Sequence, residues 1–331
     1  MIATAAPRAV GGSRYRTGMA RQAKVRIGTA SWTDPTLIKS GRFYPPGSST
    51  AEARLRFYAS QFPIVEVDSS YYYLPREEQA GLWVDRTPPD FVFNIKAFSL
   101  LTGHPTQRKA IPQDLEDEID PEHRDAKRVY RNHLSSHALD ELWKRFHDAL
   151  LPLDSAGKLG AVLLQYPEWF TPKHDNREEL RQLRERLPGY QLCVEFRNRT
   201  WLEDRDREHT LETLAKEGLS LVCVDMPQGF RSSLPPLAEV TTPELAVVRF
   251  HGRDPEAWKH KGPTATPRFR YLYKERELRE WVPRIEHLAE GARNLHVLMN
   301  NCYEDYAVRN GKQLADLLSD DTDLQVVTPQ G

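Results

Sequence analysis

The sequence predicts an α/β fold in which eight parallel strands close into a TIM-barrel-like (β/α)₈ barrel surrounded by helices. Eight short β-type runs alternate with amphipathic helical segments, and this order implies parallel strands joined by right-handed crossovers. The length of 331 residues lies in the usual range for such a barrel. The main alternative is an open doubly wound sheet, whose first strand should precede a glycine-rich GxGxxG turn. Residues 27–32, IGTASW, lack that spacing.

The predicted strands are short and apolar, as buried parallel strands are. They occupy 24–28, 64–68, 91–97, 159–165, 191–196, 219–225, 245–250 and 295–300. The segments between them carry apolar residues at helical spacing; in 50–62, Leu55, Tyr58 and Phe62 share one face. The predicted helices are 50–62, 76–87, 136–150, 174–187, 205–217, 274–290 and 304–319.

Three segments lie outside this alternation. Residues 1–23 contain Arg but no Asp or Glu, which predicts a disordered basic N-terminal arm with Met19 as an alternative start. Residues 103–135 form a charged helical insertion after the third strand, either a functional loop or a solvated surface insertion. The long segment 251–271 is a second candidate for a binding loop. Residues 24–331 are predicted to form a single domain.

The charge balance and the cysteines limit the classes of function. With 46 Lys and Arg against 47 Asp and Glu, nucleic acid is possible as a partner but gains no support from net charge. No run of eighteen apolar residues and no secretory signal pattern occur, which predicts a cytoplasmic protein without a membrane partner. Cys193, Cys223 and Cys302 are widely spaced, so we expect reduced, buried thiols.

Polar side chains recur at the carboxyl ends of the predicted strands, where barrel enzymes place their chemistry. In the fifth strand, for example, Leu192 and Val194 alternate with Cys193 and Glu195, so the carboxylate lies opposite the apolar face. A buried ion-pair network that only closes the top of the barrel is the alternative interpretation. The residues expected to line a polar pocket are Glu66, Asp68, Lys96, Gln165, Glu195, Arg197, Asp225, Arg249, His251, Asn300 and Asn301.

Aromatic residues follow several of the same strands. Four tryptophans come directly after strands one, four, five and seven, and Tyr72 lies in a run of three tyrosines after strand two. Such a rim could stack on sugar rings or bases, or it could pack over the end of the barrel. The first interpretation adds Trp32, Tyr72 and Trp201 to the predicted substrate-binding residues, with Trp169 and Trp258 beside them.

Motifs spread over nearly the whole chain resemble the YecE-like family, also known as domain of unknown function 72. They are GTASW (28–32), FYPPG (43–47), YASQFPIVEVDSSYYYLP (58–75), NIKA (94–97), LLQYP (163–167), VEFRNRTW (194–201), RFHG (249–252) and MNNCYEDYAVRN (299–310). The resemblance implies a TIM-barrel-like fold and no assigned activity. The chain departs from the family at Asp68, where Asn is usual, and at Tyr71, where Phe is common.

The leading functional hypothesis is an enzyme that uses acid–base catalysis on a small polyhydroxylated or phosphate-bearing molecule, as an isomerase, lyase or hydrolase. The predicted catalytic residues are Glu195, His251, Lys96 and Asp225, with Glu195 exchanging one proton and His251 the second. Arg197 and Arg249 would bind an anion, and Asn300, Asn301 and Gln165 would bind hydroxyl groups. Lys96 as a Schiff-base nucleophile is a lesser variant, because Glu66 and Asp68 should keep it protonated.

Two alternatives stay open. The sequence requires no cofactor, but Glu66, Glu195, Asp225 and His251 could bind a divalent metal, as in a sugar isomerase or a phosphodiesterase. The second alternative is a non-catalytic protein that binds a sugar or single-stranded nucleic acid through the aromatic rim. A steep salt dependence of affinity would favour nucleic acid over a small molecule.

Overall fold

The computed structural model describes residues 22–259 and 266–330. The predicted arm at 1–23 therefore lies almost wholly outside the described residues. None of the helices in the described ranges is long and apolar enough to cross a bilayer.

Eight strands form the parallel barrel, each within two residues of its predicted bounds. They are β1 (Lys24–Thr29), β2 (Ile64–Val67), β3 (Val92–Lys96), β4 (Leu159–Gln165), β5 (Leu192–Glu195), β6 (Leu219–Asp225), β7 (Leu245–Phe250) and β8 (Asn294–Met299). Each strand pairs with the next along the chain, and β8 pairs with β1 from Lys24↔Asn294 to Thr29↔Met299. The predicted closed (β/α)₈ barrel is confirmed.

The helices surround the barrel in the predicted order. They are α1 (Pro35–Ser40), α2 (Ala51–Ala59), α3 (Glu77–Asp85), α4 (Ser136–Ser155), α5 (His174–Arg186), α6 (Arg207–Lys216), α7 (Pro255–Trp258), α8 (Glu275–Arg279), α9 (Val282–Gly291) and α10 (Tyr306–Asp321). The side chains of Asp34, Thr50 and Ser135 cap α1, α2 and α4. The predicted helix at 274–290 is divided into α8 and α9, with Pro283 in the first turn of α9, where proline is tolerated.

The insertion after β3 contains short 3₁₀ turns and a small hairpin in place of regular α-helix. Thr106–Gln107 pairs antiparallel with Arg128–Val129. Apolar side chains of this segment, including Leu115, Ile119 and Val129, are buried and join the main hydrophobic core. The insertion is therefore packed against the barrel through its apolar side chains. The interpretation as a solvated surface insertion does not hold for these residues.

Alternate residues of each strand face the barrel interior. Arg249 of β7 contacts Glu66 of β2, and because these strands are not neighbours in the sheet, the contact must cross the interior. Phe250 has the opposite orientation and packs with Trp281 in the helical layer. Gly160 of β4 also faces the interior, since a Cβ there would lie 2.4 Å from Val92 Cγ1 and 2.7 Å from Asn94 Oδ1.

Candidate active site

The carboxyl ends of the strands and the loops after them surround a cavity of about 600 Å³. Six of the predicted site residues line it: Asp68, Tyr72, Lys96, Gln165, Arg197 and Asn300. The other described lining residues are Tyr71, His104, Pro167, Glu168, Trp169, Phe230, Arg231, Ser232, Trp258, Lys259, Arg268 and Phe269. Sequence reasoning had no signal for the loop residues Phe230 to Ser232, because irregular loops follow no strand or helix pattern. Arg268 and Phe269 lie in segment 251–271, which was predicted as a candidate binding loop.

Lys96 and Asp68 form an ion pair on the wall of the cavity. Lys96 Nζ lies 2.7 Å from Asp68 Oδ1 and 4.2 Å from the centre of the Tyr71 ring. Lys96 has the inward orientation of Asn94 on β3, and Asp68 directly follows β2, so both side chains reach the same edge of the barrel. The Asp68 side chain is 30% exposed and that of Lys96 is 10% exposed. These two groups can therefore contact a molecule in the cavity.

A charge network of Glu66, Glu195 and Arg249 is buried beneath the cavity, and Arg197 extends from it to the cavity wall. Arg249 places one guanidinium nitrogen 2.5 Å from Glu66 and another 2.5 Å from Glu195. Arg197 contacts the second oxygen of Glu195 at 2.5 Å. Burial by itself would raise the pKa of Glu195, but Arg197, Arg249 and His251 together hold that pKa well below its ordinary value. Glu195 is thus the ionised partner of the two arginines and does not line the described cavity.

His251 is also buried below the cavity. Its Nε2 lies 3.2 Å from Glu195 Oε1, and its Nδ1 lies 2.8 Å from Asn300 Nδ2. Burial, followed by the charge of Arg197, lowers the pKa of His251 to about 3. The imidazole is therefore neutral at physiological pH. The expected proton exchange near neutral pH, which requires a pKa near 7, is not supported for this residue.

Asp225 and Asn301 face the helical layer instead of the cavity. Asp225 accepts hydrogen bonds from Tyr273 Oη at 2.7 Å and Trp281 Nε1 at 2.6 Å, and it pairs with Arg253 at 2.7 Å. The side-chain amide of Asn301 donates to the Tyr271 carbonyl and to Asn310. The reason is strand alternation: Asp225 shares the outward face of β6 with Cys223. Their prediction as pocket residues is corrected.

Two of the predicted rim tryptophans belong to the core. Trp201 is fully buried, stacks on Phe196 and donates its indole N–H to the Phe170 carbonyl. Trp32 packs edge-on against Trp83 and is 7% exposed. Both therefore pack over the end of the barrel, which corrects their prediction as substrate-binding residues. Trp169 and Trp258, in contrast, line the cavity.

The residues proposed as metal ligands are not assembled into one site. Asp225 lies on the opposite face of its strand from the interior, and arginines occupy the carboxylates of Glu66 and Glu195. Within 22–259 and 266–330, no group of three or more His, Cys, Asp and Glu side chains has a metal-binding arrangement. A cluster that could hold a divalent ion is therefore not found in the described part of the chain.

The charge of the cavity favours an anionic ligand. Its described lining contains five cationic side chains and two carboxylates. The cations are Lys96, Arg197, Arg231, Lys259 and Arg268. Burial, together with the nearby Lys96 and Arg197, lowers the pKa of His104 to about 3, so this histidine adds no charge near pH 7. Aromatic side chains complete the walls, with Trp169 58% exposed and Tyr72 51% exposed.

Comparison with known proteins confirms the resemblance inferred from the motifs. Residues 26–330 match the family described as "Protein of unknown function DUF72". The UPF0759 protein YunF of Bacillus subtilis is 32% identical over 297 residues, which are 89% of this chain and 94% of that protein. A DUF72 family protein of Enterococcus faecalis has a similar structure, with a TM-score of 0.72, 25% identity and coverage of 89% of this chain and 95% of that chain. A DUF72 family protein of Thermotoga maritima has a TM-score of 0.70 and 29% identity, and the match covers 89% of this chain and 99% of that chain.

Proposed function

This chain belongs to the DUF72 family, whose function is unknown, and we propose that it is an enzyme that uses acid–base catalysis on a small anionic, polyhydroxylated substrate. The observation that carries the proposal is the Lys96–Asp68 ion pair, which contacts a cavity of about 600 Å³ at the carboxyl ends of the strands. Barrel enzymes place their catalytic groups at this end. Of the four predicted catalytic residues, Lys96 is the one that lines the described cavity.

Lys96 takes the role of proton donor and oxyanion stabiliser. The Asp68 carboxylate lies 2.7 Å from Lys96 Nζ and orients it, and Nζ can donate a hydrogen bond to a developing negative charge. The ion pair with Asp68 engages Lys96 Nζ and argues against Lys96 as a Schiff-base nucleophile. Asp68 replaces Glu195 as the proposed proton acceptor, because its more exposed carboxylate can meet a substrate hydroxyl.

Arg197 provides the anchor for the anionic group of the substrate. Glu195 fixes its guanidinium from below at 2.5 Å, and the Trp258 ring lies 5.2 Å from the guanidinium carbon. A guanidinium fixed in this way loses little conformational freedom when it binds a carboxylate or a phosphate. The cationic loop residues Arg231 and Lys259 add to the attraction for an anion.

The test is a turnover assay on a panel of sugar phosphates, aldonic acids and hydroxy acids, followed by NMR spectroscopy. We expect the wild type to convert at least one compound, and Lys96→Met to reduce the rate by about 10²-fold to 10⁴-fold, the usual contribution of a positioned proton donor. Lys216→Met, at an exposed position on α6, is the matched control and should keep the full rate. Full activity of Lys96→Met would refute the role of Lys96.

Non-catalytic binding of a sugar or single-stranded nucleic acid is the second candidate, and the exposed Trp169 and Tyr72 at the cavity support it. It would be favoured if wild type bound a panel compound without converting it. A steep loss of affinity for an oligonucleotide with added salt would identify nucleic acid as the ligand. The cytoplasmic location stays a prediction.

A further inference from the structure

A second, smaller cavity adjoins the candidate active site. It has a volume of about 200 Å³ and lies between the loop after β4 and the two ends of the insertion, which contribute Gly103, Tyr130 and Arg131. Pro167 and Trp169 of the loop line both cavities, so the two spaces meet at this wall. Cavities for a whole drug-sized ligand usually measure about 300–1,000 Å³. The smaller cavity, here called the side pocket, therefore suits one ring of a ligand that also occupies the larger cavity.

Aromatic side chains form stacking surfaces in the side pocket. Trp169 and Tyr130 are exposed, although large aromatic side chains usually bury most of their area. Phe170 provides a fixed apolar base, because it is buried and stacks on Tyr166 with 3.8 Å between the ring centroids. Exposed ring faces beside such a base favour a flat ligand group that can stack on them. A sugar ring and a nucleobase both have this shape.

The polar groups of the side pocket favour the sugar ring. Asn176 Nδ2 donates to the Thr171 carbonyl oxygen at 2.8 Å, so the remaining Asn176 Oδ1 can accept from a ligand hydroxyl. Arg131 is the one cationic residue of the described pocket lining, and Glu179 pairs with it at 2.6 Å. A nucleotide would bring a phosphate that requires an unpaired cation. A neutral, hydroxyl-bearing ring requires none.

We propose that the side pocket is a second sugar subsite, and that the substrate is a glycoside or an oligosaccharide with one acidic sugar unit. This inference rests on the proposed function. The acidic unit lies against Lys96 and Arg197 in the larger cavity, whose described lining has five cationic side chains. The linked neutral ring lies against Trp169 and Tyr130 in the side pocket. The larger cavity thus selects the charge, and the side pocket selects the second ring.

The first experiment tests the side pocket by itself, with the neutral disaccharide cellobiose as the probe. The indole N–H signals of the seven tryptophans are followed by ¹H–¹⁵N NMR spectroscopy, and Trp169 is assigned by the loss of its signal in Trp169→Phe. We expect millimolar cellobiose to shift the Trp169 signal in a saturable manner and to leave the buried Trp281 unchanged. No shift at Trp169, or a shift with adenosine alone, would overturn the inference whatever the activity.

A pair of tyrosine variants locates the stacking. Tyr130→Ala removes an exposed ring of the side pocket and should weaken cellobiose binding by about tenfold. Tyr73→Ala is the matched control, because Tyr73 is also exposed but lines neither cavity, and it should keep the full response. Equal affinities for cellobiose in the two variants would contradict a subsite at Tyr130.

The second experiment links the two cavities by calorimetric titration with D-gluconate and with cellobionate, which is gluconate that carries a β-linked glucose. We expect wild type to bind cellobionate at least about tenfold more tightly. Tyr130→Ala should remove this advantage, whereas Lys96→Met should weaken both acids in the same proportion. Equal affinities of wild type for the two acids would overturn the inference and leave the proposed function intact. Acids that bind no more tightly than cellobiose would instead refute the anion site of the proposed function and leave the sugar subsite standing.

Discussion

At the scale of single residues, depth in the barrel separates groups that can contact a substrate from groups that support them. Glu195 is the last residue of β5, and two arginines enclose its short side chain below the cavity. Lys96 ends β3 with a longer side chain that reaches the cavity wall. Both are charged residues at strand ends, so sequence alone could not separate them. The distinction depends on the length of each side chain and on what covers it.

Removal of Arg249 should strongly destabilise the fold. Arg249→Met leaves the buried carboxylate of Glu66 without its arginine partner and removes one of the two arginines at Glu195. We expect the free energy of unfolding, measured with urea, to fall by roughly 3–5 kcal/mol. The control Arg56→Gln breaks the exposed ion pair with Glu52 and should cost less than about 1 kcal/mol. Equal losses in the two variants would contradict the structural role of this network.

Histidines with lowered pKa values should make stability fall on acidification. The folded pKa of His104 is about 3 against an ordinary value of 6.5, so the unfolded chain binds the extra proton between these values. Stability from this residue is complete above about pH 6.5 and is lost as the pH falls toward 3. His251 and His296 have the same direction of shift. As the pH falls, the loss of stability should therefore begin before the carboxylates become protonated.

Substitution of His104 measures its contribution to the pH dependence of the unfolding free energy. His104→Gln should reduce the slope of unfolding free energy against pH by about 1.4 kcal/mol per pH unit, since one proton fewer is taken up on unfolding. His174→Gln is the control, because the His174 side chain is 83% exposed. Urea unfolding between about pH 5.5 and about pH 4 measures both slopes. Identical slopes in the two variants would contradict the assignment.

At the scale of elements, glycine positions decide how closely the strands approach. Gly160→Ala in β4 would place a methyl group 2.4 Å from Val92 Cγ1, inside the well-packed barrel. We expect overpacking to lower the free energy of unfolding by about 1–3 kcal/mol. Gly81→Ala on α3 meets no atom within 4 Å and should be neutral or stabilising by up to about 1 kcal/mol. Thermal unfolding of both variants tests this, and a neutral Gly160→Ala would contradict the tight interior contact.

The elements themselves were predictable because period and order are local properties of the sequence. The face of the last residue in a strand was less predictable. Asp225 ends a strand that is buried on both sides, so no alternation of polar and apolar residues distinguished its two faces. Asn300 and Asn301 are adjacent, and the structure directs the first to the cavity and the second to the helical layer. Tertiary contacts fix these orientations.

At the scale of the whole molecule, a polar interior supports a cationic cavity above it. The family resemblance and the count of eight strands together predicted the barrel. Six predicted residues line the cavity, because inward polar groups at strand ends must meet there once the barrel closes. The loop that supplies Phe230 and Arg231 was not predictable, since its position depends on the closed barrel beneath it.

The most direct measurement is a crystal structure of the protein with D-gluconate at a saturating concentration. We predict electron density in the cavity, with the carboxylate between Lys96 Nζ and Arg197 and a hydroxyl within hydrogen-bond distance of the Asn300 side-chain amide. Gluconate bound elsewhere, or a cavity without it at saturation, would contradict the assignment of this cavity as the substrate site.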